Sequence, residues 1–105
     1  MTAQPPTVPE LRMRLAPFCE RRGIQRLEVF GSVASGRARQ NSDVDLLVTL
    51  RMEPPVEIPE LLDMAGEVEE IIGVPVDFVL RRDVERAASA RSRHILESAV
   101  CIYAN

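Results

Sequence analysis

Lysine is absent from the sequence, in which all thirteen Lys and Arg residues are arginine. A phosphate-binding loop of the Gly-x-x-x-x-Gly-Lys type is therefore excluded, because that loop needs its lysine to reach the phosphates. The only histidine, His94, falls in a predicted helix between Arg93 and Ile95, where a solvated side chain is expected. Ser35 and Ser89 have no partner base, so nucleophilic catalysis by a serine has no support.

Cysteine, net positive charge and long apolar runs are also scarce or missing. The two cysteines, Cys19 and Cys101, lack Cys-x-x-Cys or Cys/His ligand spacing, which predicts buried free thiols in a reducing compartment. The formal net charge of -3 argues against a general nucleic-acid-binding surface. No basic region followed by an apolar run opens the chain, and no stretch approaches membrane-spanning length. We expect a cytoplasmic protein that contacts neither membrane nor nucleic acid directly.

The composition is that of an ordinary globular protein, 46% hydrophobic and 28% charged over 105 residues, which is enough for one domain. Residues 1–9 are expected to form a flexible lead and residues 10–105 the domain. The pattern of apolar residues predicts an α/β fold in which a small sheet is covered by helices. The predicted helices are 10–22, 59–72 and a last one capped by Asp83 and running to about Val100; the predicted strands are 27–30, 44–50 and 74–80, with a loop over 51–57 and a short extended segment at 102–103.

The segment from Val29 to Leu50 carries the strongest functional pattern. An apolar strand ends at Gly31-Ser32, and a second strand begins with Asp43 and Asp45. Side chains alternate along a strand, so the two aspartates point the same way and repel each other unless a cation lies between them. Magnesium prefers such oxygen ligands, often with substrate phosphates. The backbone after Gly31 and the Ser32 hydroxyl are candidates for holding a phosphate.

A third aspartate, Asp77, lies in an otherwise apolar predicted strand. An unpaired carboxylate is costly to bury there, which leaves two interpretations. Asp77 is either an edge-strand residue paired with an arginine or a third metal ligand.

The run Gly-Ser-x-Ala-x-Gly-x-Ala-Arg-x-x-Ser-Asp-x-Asp-Leu, from Gly31 to Leu46, resembles the minimal branch of the DNA polymerase β-type nucleotidyltransferases. The resemblance implies a small mixed sheet flanked by helices in the polymerase β-like fold. It also implies that Asp43, Asp45 and Asp77 are catalytic and bind one or two Mg²⁺ ions. Gly31 and Ser32 would bind the β- and γ-phosphates of a nucleotide.

Arginines near the motif receive different predictions. Arg39 matches the arginine of the family pattern and would either contact phosphate or fasten the loop to the carboxylates. Arg37 is not part of the shared pattern and is expected on the surface. Ser42 is expected to stabilise a turn. Five arginines of the last helix region are expected on solvated faces, although contact of some of them with the nucleotide or an acidic partner is an alternative: Arg81, Arg82, Arg86, Arg91 and Arg93.

Minimal relatives of this length resemble antitoxins of toxin–antitoxin pairs, in which AMP passes from ATP to a tyrosine of a HEPN-domain ribonuclease toxin. The first hypothesis is therefore a protein adenylyltransferase that acts as an antitoxin. The second is a non-catalytic antitoxin that neutralises its partner by binding alone. The third is a small-molecule nucleotidyltransferase that forms a homo-oligomer to build its substrate cleft.

Overall fold

The computed structural model of the protein describes residues 5–39, 42–51 and 57–105. In these residues the chain forms helices and strands in the order α1 (Val8–Arg22), β1 (Ile24–Phe30), α2 (Gly31–Ala34), β2 (Val44–Leu50), α3 (Ile58–Ile72), β3 (Val76–Leu80), α4 (Arg81–Ala87), α5 (Ala90–Ser98) and β4 (Val100–Ala104). The first four residues of the predicted lead and most of the predicted 51–57 loop lie outside the described residues. None of the helices described is long and apolar enough to cross a membrane.

The four strands form one sheet in the order β3-β2-β1-β4. Strand β1 is antiparallel to both β2 and β4, whereas β2 and β3 are parallel. The sheet is therefore mixed and flanked by helices, as expected. The parallel pair matters most for the site, because it places Asp45 directly opposite Asp77 in the register.

Helix α1 begins two residues earlier than predicted because Thr7 caps it. The Thr7 side chain accepts a hydrogen bond from the Glu10 backbone, and the Glu10 side chain accepts one from the Thr7 backbone. At the other end Gly23 has a φ of 68°, the left-handed conformation that a glycine adopts without strain. Gly73 ends α3 in the same way, as the sequence predicted.

One face of the sheet is covered by α1 and α3 and forms the hydrophobic core. Alternate residues of β2 point into it, and Val44, Leu46 and Val48 are at most 1% exposed. Leu15 and Phe18 of α1 are buried there, as is Val68 of α3. We call this the core face.

Both cysteines are free. Cys19 is buried on the core face, and burial raises the pKa of its thiol to about 12, so it is inert. Cys101 of β4 is only half-buried, so the prediction of burial holds fully for Cys19 alone.

The opposite face carries polar side chains beneath α4 and α5, and we call it the cleft face. Glu28 of β1 is 2% exposed on this face, and both of its carboxylate oxygens accept hydrogen bonds from Arg81 Nη1, at 2.5 and 2.7 Å. The hydrogen bond with Glu28 raises the pKa of Arg81. The prediction that Arg81 lies on a solvated face is therefore wrong. Because α4 begins directly after β3, its first residue reaches back across the sheet.

The single C-terminal helix predicted from Asp83 to Val100 is also wrong. Ala88 adopts a left-handed conformation with a φ of 48° and divides the segment into α4 and α5. Ser89 then caps α5 by accepting a hydrogen bond from the Ser92 backbone at 3.0 Å, because serine competes for backbone groups at a helix start. Asp83 caps neither helix and lies in the first turn of α4. The final extended segment is longer than predicted and forms the edge strand β4.

We predict that Glu28→Gln lowers the free energy of unfolding by about 3 kcal/mol, since it leaves a guanidinium without its buried counter-charge. Urea denaturation of the purified protein measures this change. Asp63→Asn is the matched control, because Asp63 also pairs with an arginine, Arg22, but its side chain is 77% exposed. We expect that control to cost less than about 1 kcal/mol. Equal losses in the two variants would show that the Glu28–Arg81 pair adds no more than a surface pair.

Candidate active site

An open cleft of about 930 Å³ lies on the cleft face, bounded by α2, α4 and α5. Asp45 and Asp77 line it from the sheet, together with Gly31 at the end of β1. Strand alternation places Phe30, Asp45 and Asp77 in one row across β1, β2 and β3, because each is the register partner of the next. The structure thus brings three of the predicted site residues, Gly31, Asp45 and Asp77, to one place. Strands β2 and β3 each supply one carboxylate.

The electrostatics of the cleft centre on Asp45. Its pKa is raised to about 6, first by burial, then by the charge of Asp77 and a hydrogen bond with it, and last by the charge of Asp43. The ionised form of Asp45 is therefore disfavoured in the metal-free protein, and a cation bound at this position would favour it. Asp77 is more exposed than Asp45. The pairing with an arginine that was the alternative for Asp77 is not found among the described residues.

Asp43 occupies a different position from the other two aspartates. It is exposed and immediately precedes β2, and its charge acts on Asp45. Within the described part of the chain it does not line the cleft. Asp45 and Asp77 therefore form the centre of the site, with Asp43 at its margin.

Gly31 allows the chain to turn against Asp45. Its φ is 74°, and a Cβ placed on it would overlap Asp45 Oδ2. Glycine is therefore required both by the backbone conformation and by the lack of space. This contact joins the predicted phosphate turn to the carboxylate pair, two features that the sequence related only by their spacing.

The turn after Gly31 is stabilised by hydrogen bonds within the turn itself. The Ser32 carbonyl accepts hydrogen bonds from the Ser35 hydroxyl at 3.2 Å and from the Arg37 backbone N–H at 2.8 Å. Ser32 is half-buried, and among the described residues its side chain does not line the cleft.

Arg39 and Ser42 form a second turn. The Ser42 hydroxyl accepts a hydrogen bond from the Arg39 backbone N–H at 2.9 Å, and the Ser42 N–H donates to the Arg39 carbonyl at 3.0 Å. This geometry agrees with the turn-stabilising role predicted for Ser42. The Arg39 side chain is exposed and is not one of the described residues that line the cleft.

Basic residues that the sequence analysis left on the surface do line the cleft. Arg37 enters it from the turn after α2, and Arg91 and His94 enter it from α5. The position of Arg91 was missed because one long helix was predicted where two exist. Ser89, three residues before Ser92, is the signal in the sequence that indicates a new helix start.

The donor set of the cleft suits magnesium. Asp45 and Asp77 supply oxygen ligands, and Mg²⁺ is commonly bound by one or two carboxylates together with substrate phosphates. Among the described residues, no three or more His, Cys, Asp or Glu side chains lie close enough together to hold a metal. Within the described residues the cleft thus offers a pair of carboxylates as oxygen ligands.

The chain belongs to the nucleotidyltransferase domain family, whose model matches residues 12–102. It is 36% identical over 69 residues to a protein adenylyltransferase, MntA, from Thermococcus cleftensis; the match covers 63% of this chain and 65% of the relative, so it spans just under two thirds of that relative's length. A solved structure described as a minimal nucleotidyltransferase has a TM-score of 0.67 and 32% identity, and the match covers 90% of this chain and 95% of that one. The MNT antitoxin of Shewanella oneidensis, solved in complex with a tri-AMPylated HEPN toxin, has a TM-score of 0.65 at 14% identity, with 94% of this chain and 74% of that one covered; at that identity it supports the fold alone.

We predict that Gly31→Ala disrupts the site, whereas Gly36→Ala does not. Both glycines have a φ of 74°, so both variants pay a similar cost of roughly 1 kcal/mol for placing alanine in the left-handed region. Only at Gly31 does the added methyl group meet Asp45, while the space around Gly36 is open. Urea denaturation measures the stability of both variants, and we expect Gly31→Ala to be the less stable by a further 1 kcal/mol or more. Equal stability would contradict the close packing of Gly31 on Asp45.

We predict that Asp45→Asn stabilises the metal-free protein at neutral pH. The folded-state pKa of Asp45 lies above its ordinary value, so the ionised carboxylate disfavours the fold at pH 7. Since the side chain is part-exposed, the gain is on the order of 1 kcal/mol. The penalty that the variant removes decreases as the pH falls from about 6 toward 3.8, the ordinary pKa of an aspartate, so the stabilities of the two proteins should converge near pH 4. Thermal unfolding in EDTA between pH 4 and 8 tests this, and a gap that widens on acidification would refute it.

Proposed function

We propose that the protein is a magnesium-dependent nucleotidyltransferase that moves AMP from ATP onto a hydroxyl group of a partner protein. The observation that carries this proposal is the contact of Gly31 with Asp45, which in turn lies opposite Asp77. A turn suited to phosphates and a pair of carboxylates suited to a divalent cation meet at one point of an open cleft. Membership of the nucleotidyltransferase family supports this interpretation.

In this proposal Asp43, Asp45 and Asp77 hold one or two Mg²⁺ ions, and Gly31 and Ser32 contact the β- and γ-phosphates. Arg39 stays a predicted contact of the phosphates or the loop. Bound magnesium offsets the negative charge of the phosphates during an in-line displacement. The acceptor oxygen forms a bond to the α-phosphorus, the bond from that phosphorus to the β-phosphate oxygen breaks, and pyrophosphate leaves. Asp77 receives the acceptor proton, since it is the more exposed carboxylate and lies on the edge strand β3.

The acceptor is proposed to be a tyrosine of a HEPN-domain toxin, which makes this protein an antitoxin that acts in the cytoplasm. Support comes from the adenylyltransferase relative and from the AMPylated HEPN toxin seen with a protein of the same fold. A cleft that opens to the surface suits an acceptor carried on another protein.

The test combines the purified protein, the product of a neighbouring HEPN-type gene, Mg²⁺ and α-labelled ATP. We expect covalent label on the partner, and a loss of at least 100-fold in labelling rate for Asp45→Asn and for Asp77→Asn. Asp63→Asn, an exposed α3 carboxylate remote from the cleft, serves as the control and should label normally. Replacing the acceptor tyrosine of the partner with phenylalanine should abolish the label.

Three results would overturn parts of this proposal. Neutralisation of the toxin that survives Asp45→Asn and Asp77→Asn would indicate inhibition by binding alone. Turnover on a small alcohol without labelling of any protein would indicate a small-molecule enzyme. Label that persists in EDTA would contradict the role of magnesium.

A further inference from the structure

The cleft is lined by both acidic and basic side chains. Asp45 and Asp77 lie on the sheet, whereas Arg37 and Arg91 come from the turn after α2 and from α5. Helices α2 and α5 pack against each other, so the two arginines belong to neighbouring elements. A ligand in the cleft therefore meets the two carboxylates of the sheet, with Asp83 from α4, and two guanidinium groups from the other helical elements.

These two arginines have no hydrogen-bond or ion-pair partner for their side chains within residues 5–39, 42–51 and 57–105. Several other arginines in the described part of the chain form ion pairs. Arg21 and Arg22 bind carboxylates of α3, and Arg81 binds Glu28. Because no internal pair has to be broken, Arg37 and Arg91 are free to bind an anionic ligand.

The backbone that carries each arginine is fixed. The Arg37 N–H donates to the Ser32 carbonyl at 2.8 Å, which anchors Arg37 to the turn that begins at Gly31. Arg91 is the second residue of α5, whose start is held by Ser89 and by the buried Ser92. Fixed attachment points reduce the conformational entropy that is lost when the side chains bind a ligand.

We infer that Arg37 and Arg91 bind the terminal phosphates of the nucleotide and so select a triphosphate over a monophosphate. The inference rests on the proposed function, which places the α-phosphorus at the carboxylates. The remaining phosphates then extend along the Gly31 turn, to which Arg37 is attached. Guanidinium groups bind phosphate oxygens in a bidentate manner, which suits the terminal, most highly charged end of the chain. A neutral tyrosine acceptor offers these cations no comparable partner.

The chain supplies a matched control for each arginine. Arg93 lies two residues after Arg91 in the same helix, and the control for Arg37 is Arg14 of α1, the helix on the core face. Both controls are exposed, and neither is among the described residues that line the cleft. Comparing each variant with its control therefore distinguishes the effect of losing an arginine in the cleft from the effect of losing one positive charge anywhere on the protein.

The experiment measures the affinity of a non-hydrolysable ATP analogue and of AMP by calorimetry, with Mg²⁺ present. We expect Arg37→Ala and Arg91→Ala each to weaken binding of the triphosphate analogue by about tenfold or more and binding of AMP by less than about twofold. Arg14→Ala and Arg93→Ala should change neither affinity by more than about twofold. All four side chains are exposed, so the variants are expected to fold, and circular dichroism checks this.

Other outcomes distinguish the two levels of the argument. If the wild-type protein binds no nucleotide, the proposed function fails. If it binds the triphosphate analogue but Arg37→Ala and Arg91→Ala lose no more affinity than their controls, the inference fails while the proposed function stands. Equal losses for AMP and for the triphosphate analogue would also overturn it, since the arginines would then contact the part of the nucleotide common to both. Partial recovery in Arg37→Lys, which keeps the charge without the planar fork, would support it.

Discussion

The register that places Asp45 opposite Asp77 is the constraint on which the cleft depends, and the rest of the fold imposes it. The two aspartates face each other because β2 and β3 are parallel in one fixed register. That register is set on the opposite face, where Val44, Leu46 and Val48 are buried under α1 and α3. A slip of one residue would turn these side chains out of the core and the carboxylates into it. The packing of the core face thus holds the two carboxyl groups opposite each other.

The Glu28–Arg81 ion pair compensates the charge of a further carboxylate on the cleft face. Glu28 lies one row deeper in the sheet than Asp45, beside Leu47, and a third uncompensated carboxylate there would add to the repulsion. Arg81 neutralises it and at the same time ties the start of α4 to β1, across β2. Since α4 begins directly after β3, the pair also fixes the end of the strand that carries Asp77. The structure therefore leaves charge uncompensated in the row where the proposed cation would bind and compensates it in the next row.

The sequence predicted much of this arrangement because the relevant signals are local. Gly23 and Gly73 end helices in the left-handed conformation, and the apolar run of β2 coincides with the predicted strand. The convergence of Asp77 with Asp45 was expected from the resemblance to the family alone, and the parallel register that sets it could not be read from residues 32 positions apart. Beyond β3 the prediction was wrong, because the helical periodicity continues across Ala88 although helix α4 ends there. The error concealed the start of α5, and with it the place of Arg91 in the cleft.

For the arginines, a match to the family pattern does not coincide with a position in the cleft. Arg39 matches a family pattern and Arg37 does not, yet Arg37 lines the cleft and Arg39 lies outside it among the described residues. The two differ because the Arg37 N–H is bound to the Ser32 carbonyl, whereas Arg39 is bound into the next turn by Ser42. Two residues of chain are enough to move a guanidinium group from one turn to another. The net charge of -3 also gives no indication of the site, since two arginines line the same cleft as the carboxylates. Magnesium is complementary in charge to the carboxylates of the cleft, and a polyphosphate is complementary to its arginines. The placement of the arginines, rather than their number, therefore determines what the site can bind.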